Sequence, residues 1–284
     1  MNEITLPPHD KPRTGQWARD TTTGNWQRRT LRPDDLPDRD GLEADAALDR
    51  TMQLPVVSVR MERTPAAFAS LYAALERQIT LAEAKTLIGA RRLTRDAPYV
   101  LGVTSAVPGE GKTTTALHLA LTAARNTFKR VCLIDLSLGR GDLSQRLGLA
   151  STGRGLIGVL EDTDTVVPTL QLAECDNLVV IPAGVEPGNP AKLARSPRVA
   201  QLLASARTTF DVVIVDMPAA SSDNLLPLAG HADGLLVVAR AGVTPRDVVA
   251  HTVEMLGRDR IIGVALNGFQ SSCPDWLQQR FGRV

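Results

Sequence analysis

The sequence predicts an α/β fold: a doubly wound, mainly parallel sheet with helices on both faces. Six short aliphatic runs recur along the chain and alternate with segments of helical spacing. Their apolar residues are continuous, which is typical of strands buried on both faces. The first run also leads into a glycine-containing loop and then a helix, an order that favours a phosphate-binding fold.

The elements follow in a regular order. Helices are expected before the first strand at 65–79 and 81–87, where apolar residues share one face, and these pieces would cover the sheet or make a subunit contact. Further helices are expected at 196–207 and at 244–256, the last with Thr244 as N-cap. The strands are predicted at residues 99–104, 130–137, 178–182, 210–218, 234–239 and 261–266.

The loop after the first strand has the residue types that bind a phosphate chain. It reads Ala106-x4-Gly111-Lys112-Thr113, with alanine where the usual pattern has glycine. Gly109 and Gly111 lack a Cβ, so the backbone can approach a phosphate, and the next helix offers free N–H groups. Lys112 supplies a charge for the phosphates, and the Thr113 hydroxyl can ligate Mg²⁺. The expected nucleotide contacts are Val107, Pro108, Gly109, Glu110, Gly111, Lys112, Thr113 and Thr114.

Two later strands end in aspartates. Asp135 follows Val-Cys-Leu-Ile, and Asp216 follows Val-Val-Ile-Val in the arrangement by which a buried strand presents a carboxylate to metal-bound triphosphate. Because parallel strands end at one rim of a sheet, Thr113, Asp135, Asp216 and Asn267 should gather there. Either aspartate alone could instead cap a turn.

Composition limits the function classes. The net charge is +1, which gives no electrostatic case for a nucleic acid or a membrane surface. The widely spaced Cys132, Cys175 and Cys273 indicate thiols in a reducing compartment, not disulfides or metal ligands. No apolar run approaches the ~20 residues of a membrane span, and no secretory signal begins the chain. We therefore expect a cytoplasmic protein that does not itself span a membrane.

Two regions are predicted along the chain. Residues 1–55 are rich in proline and charged residues and poor in aliphatics, so we expect them to be disordered. Residues 56–284 are expected to form one phosphate-loop domain. Trp17 and Trp26 in the tail are either partner anchors or incidental.

Seven segments between about residues 64 and 270 carry a family resemblance. They are TSAVPGEGKTTTA, VCLIDLSLGRGDLSQRLGL, GLIGVL, VVIPAGVEPGNPAKLARSPRV, FDVVIVDMPAA, ADGLLVVARAGVT and IIGVALN. In content, order and spacing they resemble the cytoplasmic domain of the bacterial tyrosine kinases (BY-kinases) of capsule and exopolysaccharide export. That family belongs to the MinD/ParA-like class of P-loop ATPases. Val107 stands where the MinD/ParA partitioning ATPases carry an extra lysine, which favours the kinase branch.

The resemblance implies residue roles. Lys112 and Thr113 match residues that hold phosphate and Mg²⁺, and Asp135 and Asp216 match residues that hold the metal and activate the acceptor. Asn267 is implied to lie near the nucleotide base. The implied catalytic residues are thus Lys112, Asp135 and Asp216, the metal ligands Thr113, Asp135 and Asp216, and the cofactors ATP and Mg²⁺. The implied partner is a membrane-embedded polysaccharide co-polymerase that recruits the protein to the inner membrane.

One departure from the family falls at the catalytic motif. The family pattern D-x-D-x-R here begins at Asp135, but Ser137 replaces the second aspartate and Gly139 the arginine, with Arg140 directly after it. A serine cannot act as a carboxylate base or bring negative charge to a metal site. This departure predicts weakened phosphotransfer.

Two more departures concern assembly and the acceptor. The family's oligomerising E-x2-R-x2-R motif aligns with Ala66, Ala69 and Tyr72, so the charged contacts that build a ring are absent. The usual C-terminal tyrosine cluster is also absent, because Tyr72 and Tyr99 are the only tyrosines. Oligomerisation stays open but would have to use contacts other than that ring motif, and a phosphate acceptor would have to lie on another protein.

Three functions remain open at this stage. The chain could be an active protein-tyrosine kinase that phosphorylates a partner. It could instead be a catalytically weak, ATP-binding subunit that regulates polysaccharide export through its nucleotide state, and the chemistry of Ser137 favours this hypothesis. A positioning ATPase of the MinD/ParA type is the third, and Val107 and the lack of an amphipathic membrane-binding tail argue against it.

Overall fold

The structure is a computed structural model. It describes residues 16–19, 26–29, 56–57, 65–90, 98–138, 142–147, 155–164, 169–172, 175–184 and 188–269.

The described strands and helices alternate along most of the chain. The strands are β1 Gln16–Arg19, β2 Trp26–Arg29, β3 Val56–Val57, β4 Tyr99–Ser105, β5 Val131–Asp135, β6 Leu170–Leu172, β7 Cys175–Ile181, β8 Val212–Asp216, β9 Gly234–Arg240 and β10 Ile261–Asn267. The helices are α1 Ala66–Ala90, α2 Lys112–Asn126, α3 Asp142–Arg146, α4 Gly155–Leu160, α5 Pro190–Ala194, α6 Pro197–Thr209, α7 Leu225–Ala229 and α8 Arg246–Leu256. A short 3₁₀ turn, Arg258–Arg260, precedes β10.

The main sheet has the strand order β10-β9-β4-β8-β5-β7-β6-β3. Its first six strands are mutually parallel and are the six that the aliphatic runs predict. The sequence did not predict β6, which pairs antiparallel with β7, or β3, which pairs parallel with β6. The predicted fold class, doubly wound and mainly parallel, is confirmed.

Helices cover both faces of this sheet. One buried cluster joins α1, α2 and α3 to one face, and a second joins α4 through α8 to the other. Strand residues such as Leu133 and Val213 are completely buried, which explains why the strands read as continuous aliphatic runs. The thiols of Cys132 and Cys175 are buried and free, as expected, whereas Cys273 lies outside the described residues.

Helix α1 is continuous, so the prediction of two helical pieces in this region is wrong. The predicted apolar face is confirmed, because Leu75 is buried and Phe68 packs against the same core. The Phe68 ring stacks on His118 of α2 with 4.7 Å between the ring centroids. The structure describes the side chains of α1 as far as Leu81, and in this part the apolar face of the helix packs against the core.

The predicted tail, residues 1–55, contains two of the described strands. Strands β1 and β2 pair antiparallel, with Trp17 opposite Arg28 and Trp26 opposite Arg19. The rest of the tail lies outside the described residues. Its disorder and the domain boundary at residue 56 stay predictions.

The predicted N-cap of α8 is wrong. Helix α8 starts at Arg246 after Pro245, and no side chain caps it. The Thr244 hydroxyl instead donates to the Glu110 carboxylate in the phosphate loop. The hydroxyl that the local sequence predicts to be the helix cap therefore makes a tertiary hydrogen bond instead.

Candidate phosphate-binding site

The phosphate loop lies at the centre of the sheet. It connects β4, which pairs with both β8 and β9, to the start of α2 at Lys112. Gly109 and Gly111 have φ angles of 88° and 94°, a backbone region that residues other than glycine rarely adopt. A Cβ at Gly111 would also lie 2.1 Å from Nδ2 of Asn267. The loop thus needs glycine for its backbone conformation and, at Gly111, for space.

Lys112 and Thr113 meet Asp216 at the end of β8. The Thr113 hydroxyl donates to Oδ2 of Asp216 over 2.7 Å, and Nζ of Lys112 lies 3.6 Å from Oδ1. The carboxylate is fully buried and the lysine side chain is 11% exposed. These three predicted site residues are therefore in direct contact in a site that little water reaches.

Asp135 lies beside Asp216 because the two residues are register partners on adjacent parallel strands. Its Oδ1 accepts from the backbone N–H of Ser137 over 2.9 Å and from the Ser137 hydroxyl over 2.6 Å. Its Oδ2 is buried and has no hydrogen-bond partner among the described residues. The predicted gathering of Thr113, Asp135 and Asp216 at one rim matches this geometry.

Burial changes the acidity of both aspartates. It raises the pKa of Asp216 to about 7, against the opposing effect of the Lys112 ammonium. Burial also raises the pKa of Asp135, while the hydrogen bonds from Ser137 and the charge of Lys112 act the other way. Two adjacent carboxylates with raised pKa values form a site that a cation would stabilise.

Glu110 organises the loop from within. The residue is only 2% exposed, and Oε2 of its carboxylate accepts from the N–H of Val107 over 2.8 Å. Oε1 accepts from the N–H of Arg240 over 3.2 Å and from the Thr244 hydroxyl. Sequence reasoning missed Arg240 and Thr244, because nothing in the local pattern shows that the turn after β9 contacts the loop.

The remaining predicted nucleotide contacts surround this core. Pro108 is exposed, and Thr114 is half-buried in the first turn of α2, where N–H groups lack partners within the helix. Nδ2 of Asn267, at the end of β10, donates to the Glu110 carbonyl over 2.9 Å. Asn267 therefore contacts the loop directly, at its β10 side.

The tyrosines lie away from this rim. Tyr72 of α1 is buried, and burial together with the nearby Glu76 carboxylate raises its pKa. Tyr99 begins β4, at the opposite end of the strand from the phosphate loop. Neither tyrosine therefore lies at the rim that holds Asp135 and Asp216.

Comparisons with known proteins place the chain in a family. No protein-family model matches it. The tyrosine-protein kinase YwqD of Bacillus subtilis is 33% identical over 169 residues, which span 58% of this chain and 70% of that protein. This chain is a member of the bacterial tyrosine-kinase family. The kinase domain of VpsO, a solved structure, is 31% identical with a TM-score of 0.56, and the match covers 68% of this chain and 97% of that domain.

Two further comparisons define the limits of the similarity. The succinoglycan biosynthesis transport protein ExoP of Rhizobium meliloti is 30% identical over 232 residues, or 78% of this chain but 28% of that protein. MinD of Pyrococcus horikoshii is 17% identical with a TM-score of 0.51, over 64% of this chain and 76% of that one. The second match shows a shared P-loop ATPase fold only. Among the helices that the structure describes, none combines the length and the apolarity needed to cross a membrane.

Proposed function

We propose that this family member binds ATP and Mg²⁺ at the phosphate loop and regulates exopolysaccharide or capsule polymerisation and export, with weak or absent phosphotransfer. The observation that carries the proposal is the direct contact of Lys112 and Thr113 with the buried Asp216 at the end of β8. A lysine, a hydroxyl and a carboxylate in that order around a glycine loop suit a magnesium-bound triphosphate.

The residues fit a magnesium ion. Oδ2 of Asp135 and Oδ1 of Asp216 are buried oxygens without hydrogen-bond partners among the described residues, and Thr113 adds a hydroxyl beside them. Within the described part of the chain, no group of three or more His, Cys, Asp or Glu side chains could hold a metal alone. That agrees with Mg²⁺, which uses one or two carboxylates, phosphate oxygens and water. Bound Mg²⁺ would neutralise charge on the phosphoryl oxygens.

Other residues of the loop, of α2 and of β10 would contact the nucleotide as well. Lys112 would exchange its 3.6 Å contact with Asp216 for the phosphates, and the free N–H groups of Thr113 and Thr114 would donate to them. Asn267, on the β10 side of the loop, would lie beside the base. Together these residues hold and orient the nucleotide.

Weak transfer is proposed because of Ser137. A second carboxylate would add negative charge and a proton acceptor, whereas the Ser137 hydroxyl occupies Oδ1 of Asp135 as a donor. Losing a catalytic carboxylate commonly costs orders of magnitude in rate, and each tenfold is about 1.4 kcal/mol of barrier. That carboxylate is not among the proposed nucleotide contacts, so nucleotide binding and phosphotransfer can separate.

A fully active kinase that phosphorylates a partner is the second candidate. It is favoured by Oδ2 of Asp135, a buried carboxylate oxygen free to accept a proton from an incoming hydroxyl. The acceptor would belong to another protein, since Tyr72 is buried and Tyr99 lies at the far end of β4. A MinD/ParA-type positioning ATPase is less favoured, because Val107 replaces that class's lysine.

A membrane-embedded polysaccharide co-polymerase is the proposed partner. Longer relatives such as ExoP carry a matching segment as about a quarter of their length, and ExoP is named as a transport protein of succinoglycan biosynthesis. We propose that a co-polymerase of this kind recruits this domain to the inner membrane from the cytoplasm. Neither a nucleic acid nor a direct membrane span is part of the proposal.

Mass spectrometry separates the two candidates. The purified protein is incubated with Mg-ATP, with and without membrane extract, and phosphotyrosine is measured on all proteins. The regulatory proposal predicts nucleotide binding with little phosphotyrosine on any protein. Abundant phosphotyrosine on a partner that Asp135→Asn removes would support the active kinase instead.

A further inference from the structure

We infer that Glu110 is a positioning residue that holds the phosphate loop in its binding conformation by anchoring it to the turn after β9, with Thr244 as its partner. The inference deepens the proposed function, since it assigns the determinant of loop shape at the same site. Neither residue is used by the proposed chemistry at Lys112, Asp135 and Asp216.

The carboxylate of Glu110 is buried and fully engaged. Oε2 accepts from the Val107 N–H within the loop over 2.8 Å, while Oε1 accepts from Arg240 and Thr244 outside it. The Arg240 N–H also reaches the Thr244 hydroxyl over 3.3 Å, so the turn is tied to itself as well as to the loop. One side chain therefore links Val107 to Glu110 across the loop and fastens the loop to a separate element.

The main chain of the same residue is anchored to a third element. The Glu110 carbonyl accepts from Nδ2 of Asn267 at the end of β10. The Asn267 carbonyl in turn accepts from the N–H of Ala241 over 2.9 Å. The contacts therefore form a closed set that connects the loop, the turn and the end of β10.

The negative charge of Glu110 allows an electrostatic role of this residue to be distinguished from an anchoring role. An acidic side chain in a loop that binds a polyanion should weaken binding by repulsion. If Glu110 acted only through its charge, Glu110→Gln would strengthen nucleotide binding. If Glu110 is the anchor, the same change weakens binding, because a glutamine amide must point its NH₂ either at the Val107 N–H or at the Arg240 N–H, and both of these groups are donors.

The experiment uses the full chain and two readouts. Hydrogen exchange of the Val107 amide is measured without nucleotide, and affinity is measured with a fluorescent ADP analogue. For Glu110→Gln we expect about tenfold faster exchange and about tenfold weaker binding. Glu254→Gln is the matched control, because Glu254 pairs with Arg258 on the exposed side of α8 and should change neither readout.

Substitutions at Thr244 test the same hydrogen bond at its donor. Thr244→Val removes the hydroxyl at nearly constant shape and should move both readouts in the direction of Glu110→Gln, by about threefold to tenfold. Thr244→Ser keeps the hydroxyl and should restore both. Thr208→Val, which removes an exposed hydroxyl bonded to the Ser205 carbonyl in α6, is the control.

The outcomes distinguish this inference from the proposed function. Unchanged exchange at Val107 in Glu110→Gln and Thr244→Val, or tighter binding by Glu110→Gln, overturns the anchor. A purely structural role would lower the melting temperature while leaving the affinity of the folded protein unchanged, and this result also overturns it. If the wild-type protein binds no nucleotide yet exchange rises in both variants, the anchor stands and the proposed function fails.

Discussion

The two neighbouring aspartates of the rim have different surroundings. Asp216 contacts Thr113 and Lys112 at the phosphate loop, whereas Asp135 accepts a hydrogen bond from Ser137, two residues further along the same segment. Both carboxylates are fully buried at the ends of adjacent parallel strands. The half that we propose to bind nucleotide, below called the nucleotide half, therefore keeps its charged contacts. The half that would face an acceptor, the acceptor half, has Ser137 where the family pattern D-x-D-x-R has an acid.

This difference shows how binding and catalysis can separate on one rim. The nucleotide half depends on the glycine loop, on α2 and on one carboxylate, all of which are in place. The acceptor half depends on a loop beyond β5, and Gly139 and Arg140 of that loop lie outside the described residues. Mutations that act on one half should therefore leave the other largely intact.

The largest effect is expected in the nucleotide half. Lys112→Ala removes the cation that faces the phosphates and should weaken the binding of a fluorescent ATP analogue by about thirtyfold or more, because a desolvated charge partner is worth about 2–5 kcal/mol. Lys129→Ala is the control, since Lys129 pairs with Glu76 at a site where both side chains are well exposed. Normal binding by Lys112→Ala would mean that the phosphates are placed wrongly.

The next effect is expected in the acceptor half. Ser137→Asp should raise phosphotransfer to a tyrosine acceptor about tenfold or more while changing nucleotide affinity little, because it restores the missing carboxylate. Ser205→Asp, at a half-buried position on α6, tests whether an added charge alone has this effect. No gain in rate would show that acceptor geometry, or Asp135 alone, sets the rate.

A further effect, on stability rather than on binding or phosphotransfer, is expected from pH. Because burial raises the pKa of Asp216 from 3.8 to about 7, the folded state binds a proton more tightly than the unfolded state between these values. Without nucleotide, stability should therefore fall as pH rises from about 4 to 7, by up to about 1.4 kcal/mol per unit. Melting temperatures from pH 5 to 8 measure this fall.

Two comparisons sharpen the pH experiment. Asp216→Asn should make the profile of the nucleotide-free protein less steep, since one of the two buried carboxylates with a raised pKa is gone. Added Mg-nucleotide should stabilise the wild-type protein more at pH 8 than at pH 5, because a metal ligand must be ionised. A profile that is flat in the wild-type protein, or equally steep in Asp216→Asn, would assign the effect to another group.

The sequence predicted the parts of the molecule that local chemistry determines. The six parallel strands follow from continuous aliphatic runs such as that of β8, and the loop follows from Gly109, Gly111 and Lys112. The meeting of Asp135 and Asp216 followed from topology, because parallel strands end at the same edge.

The missed features all depend on tertiary contacts. Strands β3 and β6 have two and three residues, too few for a periodic signal, and they form by pairing at the sheet edge. Thr244 has the sequence of a helix cap but donates to Glu110, and no local pattern reveals a partner 134 residues away. The hydrogen bond from Ser137 to Asp135 could not be predicted either, because it depends on the backbone conformation of the residues after β5.

The most direct test of the account is the magnesium dependence of nucleotide affinity in Asp216→Asn and Asp135→Asn. A fluorescent ATP analogue is titrated with and without Mg²⁺ against both variants and the wild-type protein. We expect Mg²⁺ to strengthen binding to the wild-type protein, Asp216→Asn to lose most of this gain, and Asp135→Asn to lose less. An equal or larger loss in Asp135→Asn, or an undiminished gain in Asp216→Asn, would contradict it.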